Sequence, residues 1–260
     1  MSRPRDAVAP TDVLGVPVVP ATMREAVDWV DRAVSSRERL HVGVVNAAKI
    51  VNMRRDPELR NDVLSSDVVF ADGMSVVWAS RLLGPALPER VTGIDLMHRI
   101  LERGQARGYR VYLLGATPEV VETAAARMRA LYPGIEVVGR HHGYFTDAEE
   151  EGVASAIERA RPDVLFVAMT SPRKERFLSR WSGRLGVPVC HGVGGSLDVL
   201  AGHVKRAPER WQRLGLEWLY RVMQEPRRLW RRYLVTNSIF VGLVLAELAR
   251  RAVSGDPLWP

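Results

Sequence analysis

The stretch Tyr109–Gly139 (YRVYLLGATPEVVETAAARMRALYPGIEVVG) contains the pattern that decides the fold. It consists of an apolar strand, a glycine turn, a helix that begins at Pro118 and a second apolar strand. The same alternation runs along most of the chain, and the strand DVLFVAM (Asp163–Met169) is apolar at nearly every position. Parallel strands that are buried on both faces have this composition. We therefore predict an α/β fold with a Rossmann-like, mostly parallel sheet and helices on both faces.

The composition excludes several classes of protein. Hydrophobic residues make up 47% of the 260 residues, which is enough for a sizeable core and argues against a globally disordered chain. A single cysteine, Cys190, excludes an internal disulfide framework and suits a reducing cytoplasm. The first ten residues, MSRPRDAVAP, lack the apolar segment of a secretory signal. We therefore expect a cytoplasmic protein.

Positive charge is concentrated near the C-terminus. The chain has a net charge of +7, and the segment from Lys205 to Arg232 alone has nine Arg or Lys and three Glu, a net charge of +6. Such a segment attracts polyanions, whether nucleic acid, anionic lipid or phosphate. The uncharged run that follows, Tyr233–Ala246, is shorter than the roughly 20 apolar residues that cross a bilayer. We expect this run to lie in a membrane interface or to pack on the protein.

The alternating pattern ends near Ala201. The next residues are basic and irregular, and beyond them only helix-like segments follow, interrupted at Pro226. We predict a flexible N-terminal tail at residues 1–11, an α/β core at residues 12–201 and a basic, amphipathic helical appendage at residues 202–260.

Ligands of open α/β sheets bind beyond the carboxyl ends of the strands. Candidates at this edge are Asn46, Asp72, the turn Gly115–Thr117 and the turn Gly192–Asp198. The two glycine turns allow a ligand to approach the backbone, and the free N–H groups of the helix after Thr117 suit a phosphate. The alternative is that these glycines only let the chain turn, because neither segment is a GxGxxG or Walker A motif.

Two aspartates at this edge have two interpretations each. Asp72 follows the apolar strand VVFA and precedes Gly73, so it suits either the N-cap of the next helix or a general base at the mouth of a cleft. Asp198 has the same two interpretations. No group of His, Cys, Asp and Glu has the spacing of metal ligands, so we expect no metal site. Cys190 lies inside an apolar strand and is expected to be chemically inert.

Several long motifs occur together and in a fixed order. They are ADGMSVVWASRLLGPALPERVTGIDL, YPGIEVVGRHHGYF, SPRKERFL, HGVGGSLDVLAGHVKRAP and GLEWLYRVMQEPRRLWRRYL. With these motifs the chain resembles the WecG/TagA/CpsF glycosyltransferase family from about residue 12 to residue 240, which is nearly its whole length.

The resemblance implies a reaction. Members of this family transfer a sugar, often N-acetylmannosamine or a relative, from a UDP-sugar to a polyprenyl-diphosphate-linked sugar. They invert the anomeric centre and are thought to need no metal, so no cofactor is expected beyond the UDP-sugar donor. The pathways are those of teichoic acids, enterobacterial common antigen and other surface polysaccharides. The resemblance therefore places the chain in the cytoplasm, peripherally on the inner face of the cell membrane.

The resemblance also implies roles for individual residues. Asp72 matches the family's proposed base. Positions that line the site are matched by Asn46, Arg90, Tyr144 and Asp198. C-terminal arginines thought to hold the lipid diphosphate are matched by Arg221, Arg228 and Arg231. We further expect the donor substrate to contact Gly115, Thr117, Lys174, Gly192 and Gly194.

Two positions depart from the family pattern. Val44 stands where a threonine is common, and Lys174 stands where a glutamine is common. Both would face the donor or acceptor sugar, so the identity of the transferred sugar stays open. With Ser171 as N-cap and Pro172 as first helical residue, Lys174 falls in the first turn of a helix, where a lysine is unfavourable unless an anion is present. We predict that Lys174 stabilises the departing UDP diphosphate, with a solvated surface lysine as the alternative.

Other functions compete with the glycosyltransferase. A soluble nucleotide-binding or nucleic-acid-binding regulator could use the same sheet and the same basic segment. The basic stretch QEPRRLWRRYL, residues 224–234, is joined to an amphipathic apolar run, and Trp230 and Tyr233 suit a lipid interface, which favours an anionic membrane over nucleic acid. A nicotinamide-dependent oxidoreductase is disfavoured, because the dinucleotide-binding fingerprint is absent. Whether the chain forms a homo-oligomer remains open.

Overall fold

A six-stranded parallel sheet forms the centre of the molecule. The computed structural model describes residues 9–254, except the side chains of Arg213, Arg228 and Arg232. The strands of this sheet are β3 (Leu40–Val45), β4 (Val68–Ala71), β5 (Arg110–Gly115), β6 (Glu136–His141), β7 (Val164–Ala168) and β8 (Val189–Gly192), and a separate pair of strands, β1 (Thr11–Val13) and β2 (Val16–Val18), precedes them. The sheet has the order β4-β3-β8-β7-β5-β6, and every neighbouring pair is parallel. The predicted Rossmann-like α/β fold is confirmed.

Helices cover both faces of this sheet. They are α1 (Met23–Ser36), α2 (Ala47–Met53), α3 (Pro57–Leu64), α4 (Met74–Leu83), α5 (Gly93–Gly104), α6 (Pro118–Leu131), α7 (Glu150–Ala160), α8 (Arg173–Trp181), α9 (Ser196–Leu200), α10 (Glu209–Arg213), α11 (Glu217–Gln224) and α12 (Pro226–Ser254). One face packs against α1, α5 and α6. The other face packs against α2, α4, α7, α8 and α12.

Strand β7 shows why the strands are apolar throughout. Its side chains alternate between the two faces, so Phe166 enters the core beneath α1, α5 and α6 while Leu165 and Val167 enter the core beneath α7 and α8. Both faces are dry, and every residue of the strand is buried. A strand in this position has no solvated side on which polar residues would be tolerated.

The first two strands form a separate small hairpin. Thr11–Val13 and Val16–Val18 pair antiparallel. Leu14 and Gly15 form its two-residue turn, and both have positive φ, at 57° and 82°. Such two-residue turns match the twist of the strands they connect. Thr11, the last residue of the predicted flexible tail, is a buried strand residue, whereas residues 1–8 lie outside the described part of the chain.

Several helix starts are capped by side chains, and the start of α8 differs from its prediction. The Thr22–Glu25 capping box of α1 and the N-cap Thr117 of α6 are present. The carboxylate of Glu149 accepts hydrogen bonds from Thr146, but α7 begins only at Glu150. Helix α8 begins one residue later than predicted, because Pro172 occupies the N-cap position.

The last helix shares a core with the sheet. Phe240 and Val244 of α12 are buried in the same cluster as Ile50 of α2 and Val77 of α4. The predicted boundary at residue 202 therefore marks a change of composition rather than a break in packing. The division into a core at 12–201 and an appendage at 202–260 stays a prediction about function.

Helix α12 is also longer than its uncharged run suggested. Its segment Leu229–Ser254 has 26 residues and is long and apolar enough to cross a membrane, by length and composition only. The uncharged run Tyr233–Ala246 underestimates the length of this helix, because the helix continues past Glu247 to Ser254. Length alone therefore leaves both an interfacial and a spanning helix open.

The packing of α12 predicts a difference between two neighbouring residues. Phe240 is 4% exposed, whereas Val241 is 55% exposed. Phe240→Ala should lower the free energy of unfolding by about 3–5 kcal/mol, because it leaves a cavity in the cluster that α12 shares with α2 and α4. Val241→Ala, the control, should change it by less than about 0.5 kcal/mol. Urea unfolding measures both, and equal losses in the two variants would show that α12 is not packed in this way.

Candidate active site

Polar side chains from two adjacent strands meet at the carboxyl edge of the sheet. Strands β4 and β3 are neighbours, and they are followed by Asp72 and Asn46 respectively. Asn46 Nδ2 donates to Asp72 Oδ2 at 3.4 Å. The structure therefore brings together two residues that lie 26 positions apart in the sequence, at the edge where the sequence placed them.

The Asp72 carboxylate is held by backbone as well as by Asn46. Gly93, the first residue of α5, donates its N–H to Asp72 Oδ1 at 2.9 Å. Helix α4, which follows Asp72, has Gly73 as its N-cap and no side-chain cap hydrogen bond. The interpretation of Asp72 as an N-cap is therefore wrong, and its carboxylate instead spans the gap between two chain segments.

Asn46 has a fixed orientation. Its Oδ1 accepts from the N–H of Lys49 at 3.0 Å, which makes it the N-cap of α2. Because the oxygen is used in the cap, the Nδ2 group points to Asp72. The Lys49 ammonium donates to the Val44 carbonyl at 2.7 Å and so ties the same turn together from the other side.

His191 is a residue of the site that the sequence analysis missed. It is fully buried on β8, and its Nε2 lies 3.1 Å from the carbonyl oxygen of Gly93. Burial lowers the pKa of His191 to about 4, so the ring is neutral at pH 7 and Nε2 acts as the donor. His191 thus holds the peptide whose neighbouring N–H binds Asp72. The signal in the sequence was its position inside the motif HGVGGSLD.

Lys174 is buried at the same edge of the sheet, close enough for the charge of Asp72 to affect it. It is in the first turn of α8 as predicted, but it is only 8% exposed, so the alternative of a solvated lysine is wrong. Its Nζ lies 3.1 Å from Glu175 Oε1, and Lys49 Nζ lies 2.8 Å from the same oxygen. Its methylene groups pack so tightly on Gly192 that a Cβ there would lie 2.8 Å from Lys174 Cδ.

The three buried charges shift one another. Burial, followed by the nearby charge of Lys49, lowers the pKa of Lys174. Burial raises the pKa of Glu175, but the two lysines outweigh this and bring it to about 2. Glu175 Oε2 is buried with no hydrogen-bond partner among the described residues. The cluster therefore presents two cations and one anion directly behind the turn that contains Gly192 and Gly194.

The first glycine turn has a structural explanation. Gly115 has φ 131°, and a Cβ there would lie 2.4 Å from the backbone of Ala168 on β7. Thr117 Oγ1 accepts from the N–H of Val120 and so caps α6. Both residues are accounted for by the turn itself, and contact with a donor substrate stays a prediction.

Tyr144 is placed apart from the Asn46–Asp72 pair. It is exposed and follows β6, the edge strand at the opposite end of the sheet from β4. The adjacent Gly143 donates its N–H to the Ala116 carbonyl, so this loop packs against the turn after β5. A role for Tyr144 in the site stays a prediction.

The C-terminal segment reaches this edge with charged groups. Arg90 Nη1 lies 3.3 Å from Glu217 Oε2 at the start of α11. Arg221 and Asp198 flank Gly195, because a Cβ at Gly195 would lie 3.4 Å from Arg221 Nη2 and 3.8 Å from Asp198 Oδ2.

The other two predicted C-terminal arginines lie further along the chain. Arg231 is exposed on α12. Arg228 is also on α12, but its side chain lies outside the described part of the structure. Their roles stay predictions.

The described part of the chain has no grouped metal ligands, and its one thiol is buried. Within residues 9–254, no group of three or more His, Cys, Asp or Glu is placed to hold a metal ion. Burial raises the pKa of Cys190 to about 12, so this thiol stays protonated, which fits an inert core residue.

Buried histidines predict how stability depends on pH. Burial lowers the pKa of both His41 and His191 from 6.5 to about 4, so between these pH values the unfolded chain binds more protons than the folded one. The free energy of unfolding should therefore fall as the pH is lowered from about 7 to about 4. Urea unfolding across this range should show a smaller fall in His41→Gln and His191→Gln. The exposed His203, changed to Gln, is the control and should behave like wild type. The same pH dependence in all four proteins would contradict this assignment.

Comparison with known families agrees with this geometry. The chain matches the family model described as "Glycosyl transferase WecG/TagA/CpsF family" over residues 11–254, which is nearly its whole length. The match includes the segments that supply Asn46, Asp72, Gly93, His191 and Glu217. The chain therefore belongs to the WecG/TagA/CpsF glycosyltransferase family.

Proposed function

We propose that the protein is an inverting, metal-independent glycosyltransferase of cell-surface polysaccharide or teichoic acid synthesis. In this proposal a sugar, N-acetylmannosamine or a related hexose or hexosamine, moves from a UDP-sugar to a polyprenyl-diphosphate-linked sugar. The family match supports the reaction class. The observation that carries the finer proposal is the single carboxylate of Asp72, held at the carboxyl edge of the sheet by Gly93 and Asn46.

Asp72 has the properties of the base in this reaction. Inverting transfer is one displacement: the acceptor hydroxyl oxygen forms a bond to the anomeric carbon, the bond from that carbon to UDP breaks, and one base takes the hydroxyl proton. Asp72 Oδ1 is bound to Gly93, whereas Oδ2 has, among the residues of the described part, only the long contact of 3.4 Å with Asn46. Oδ2 therefore keeps the lone pairs that a general base requires.

The departing UDP diphosphate needs positive charge. Without a metal, that charge comes from cationic side chains and helix N-termini. Arg90 and the buried Lys174 are the candidates for this charge, and a Cβ at Gly194 would lie 4.0 Å from Lys174 Nζ, so the ammonium lies beside the adjacent turn. Because the Lys174 ammonium is held by Glu175, its contribution to the diphosphate would be a fixed field rather than a mobile contact.

The acceptor module in this proposal is the C-terminal segment. Trp230, Leu234, Val241 and Leu245 are exposed and follow one another at helical spacing, so they form one apolar stripe on α12. Arg221, Arg228 and Arg231 lie in the same segment and suit the lipid diphosphate and anionic headgroups. A stripe of this kind next to basic residues supports peripheral binding to the inner face of the membrane rather than to nucleic acid.

The catalytic part of the proposal is tested by one substitution. Asp72→Asn keeps the size of the side chain and an acceptor for Gly93, but it removes the base. Sugar transfer from a panel of UDP-sugars to a polyprenyl-diphosphate acceptor analogue should fall by about 10²–10⁴-fold. Asp28→Asn on α1 removes the same charge away from this edge and should retain activity. Near-normal transfer by a folded Asp72→Asn variant would exclude Asp72 as the base.

The membrane part is tested by two matched leucines. Leu245 on α12 and Leu131 on α6 are each 60% exposed. Leu245→Ser should weaken binding to anionic vesicles by on the order of tenfold, since a leucine buried in lipid contributes about 1.5–3 kcal/mol. Leu131→Ser should have no effect, and binding of wild type should weaken at high salt because exposed charges are screened. Equal vesicle affinities for the two variants would refute a docking role for α12.

A further inference from the structure

Four charged side chains form a continuous chain from the C-terminal segment to the edge of the sheet. Arg90 Nη1 contacts Glu217 Oε2 at 3.3 Å, Glu217 Oε1 lies 3.9 Å from Arg206 Nε, and Arg206 Nη2 contacts Asp95 Oδ1 at 2.6 Å. We call this set the ion-pair chain. Arg206 and Glu217 belong to the C-terminal segment, whereas Arg90 and Asp95 belong to the α/β core. The ion-pair chain therefore joins the two parts twice.

The ion-pair chain is better shielded than an ordinary surface pair. The four side chains are between 17% and 34% exposed. The Nε atom of Arg206 is buried and has no hydrogen-bond partner among the described residues, and the carboxylates of Asp95 and Glu217 together offset the guanidinium charge. Charges that are partly removed from water interact more strongly and are less screened by salt than exposed pairs. Removing one member leaves its neighbour uncompensated.

One end of the ion-pair chain reaches the first turn of α5. Asp95 Oδ2 accepts from Thr92 Oγ1 at 2.6 Å, and Thr92 Oγ1 in turn accepts from the N–H of Asp95 at 3.1 Å. Burial raises the pKa of Asp95, but the hydrogen bonds from Thr92 and Arg206 outweigh this and lower it, so the carboxylate is charged at neutral pH. Gly93 lies in the same turn and donates its N–H to Asp72. Arg206 is thus connected to Asp72 through one turn of helix.

The other end fixes the Arg90 cation, whose chain segment is hydrogen-bonded to the strand that precedes Asp72. The residue after Arg90 is Val91, and its N–H donates to the carbonyl oxygen of Ala71. Ala71 is the residue directly before Asp72. The backbone at this position is therefore anchored, but the guanidinium of Arg90 depends on Glu217 for its direction. A guanidinium held by a carboxylate loses little further freedom when it binds a substrate.

We infer that Glu217 and Arg206 are positioning residues, which set Arg90 and the Gly93 peptide in place around Asp72 while the C-terminal segment is docked. The inference rests on the proposed role of Asp72 and Arg90 in sugar transfer. The two residues act through Arg90 and Gly93 and need not touch either substrate.

Steady-state kinetics distinguish positioning from substrate binding. With the donor that gives transfer in the UDP-sugar panel, Arg206→Gln should lower kcat by roughly 10–100-fold, because small misplacements at the reacting centre have effects of this size. KM for donor and acceptor should change less than about threefold. Arg206→Lys, which keeps the charge that faces Asp95 and Glu217, should recover part of kcat. Arg24→Gln makes the same charge change at an exposed position of α1 and is the control.

A second variant tests whether the residues act as one chain. Glu217→Gln should lower kcat in the same way. The double variant Arg206→Gln/Glu217→Gln should lose no more than the larger single loss, because both changes interrupt the same contacts. The inference would be overturned if the two losses multiply in the double variant. It would also be overturned if Arg206→Gln raises KM and leaves kcat unchanged, because Arg206 would then bind substrate.

A readout without substrate separates this inference from the proposed function. Amide hydrogen exchange of the full-length protein should become at least about threefold faster at residues 92–96 in Arg206→Gln, because the first turn of α5 loses its contact with the C-terminal segment. Exchange in Arg24→Gln should match wild type. If wild type transfers no sugar at all, the proposed function fails, and the exchange experiment alone decides whether the C-terminal segment orders this turn. Unchanged exchange at residues 92–96 would reject the inference.

Discussion

The hydrogen bond from the Gly93 N–H to Asp72 is the contact around which the site is organised. It joins the carboxyl end of β4 to the start of α5, two segments that no strand pairing connects. The bond requires the first turn of α5 to keep its orientation, and His191 holds one side of that turn while Asp95 holds the other. The surrounding residues are arranged to maintain a single short contact between a backbone amide and a carboxylate.

The sequence was sufficient for the fold and for part of the site because these depend on local pattern. Apolar strands alternating with helices imply a parallel sheet, and a parallel sheet places Asn46 and Asp72 at one edge. The sequence could not reveal contacts between residues that are far apart in the chain. His191 and Gly93 are 98 positions apart, Arg206 and Asp95 are 111 apart, and Arg90 and Glu217 are 127 apart. No periodicity links such pairs, so each histidine, glutamate or arginine looks like an ordinary core or surface residue.

Lys174 illustrates how burial changes an interpretation. From the sequence it was a cation in the first turn of a helix that needed an anion, and the donor diphosphate was the obvious one. The structure supplies an anion within the protein, because Glu175 Oε1 accepts from both Lys174 and Lys49. Two lysines share this carboxylate, and Asp72 is a further anion near Lys174.

The two faces of α12 have a consequence for the range of acceptors. One face is fixed in the core beside α2, the helix that Asn46 caps, and the other presents the apolar stripe. Any bilayer that the stripe rests on would therefore lie at a set height from Asp72, because core packing does not stretch. In the proposed function, this fixed height would select acceptors by the distance of their sugar hydroxyl from the lipid surface, and a glycan one residue longer would carry its terminal hydroxyl past Asp72.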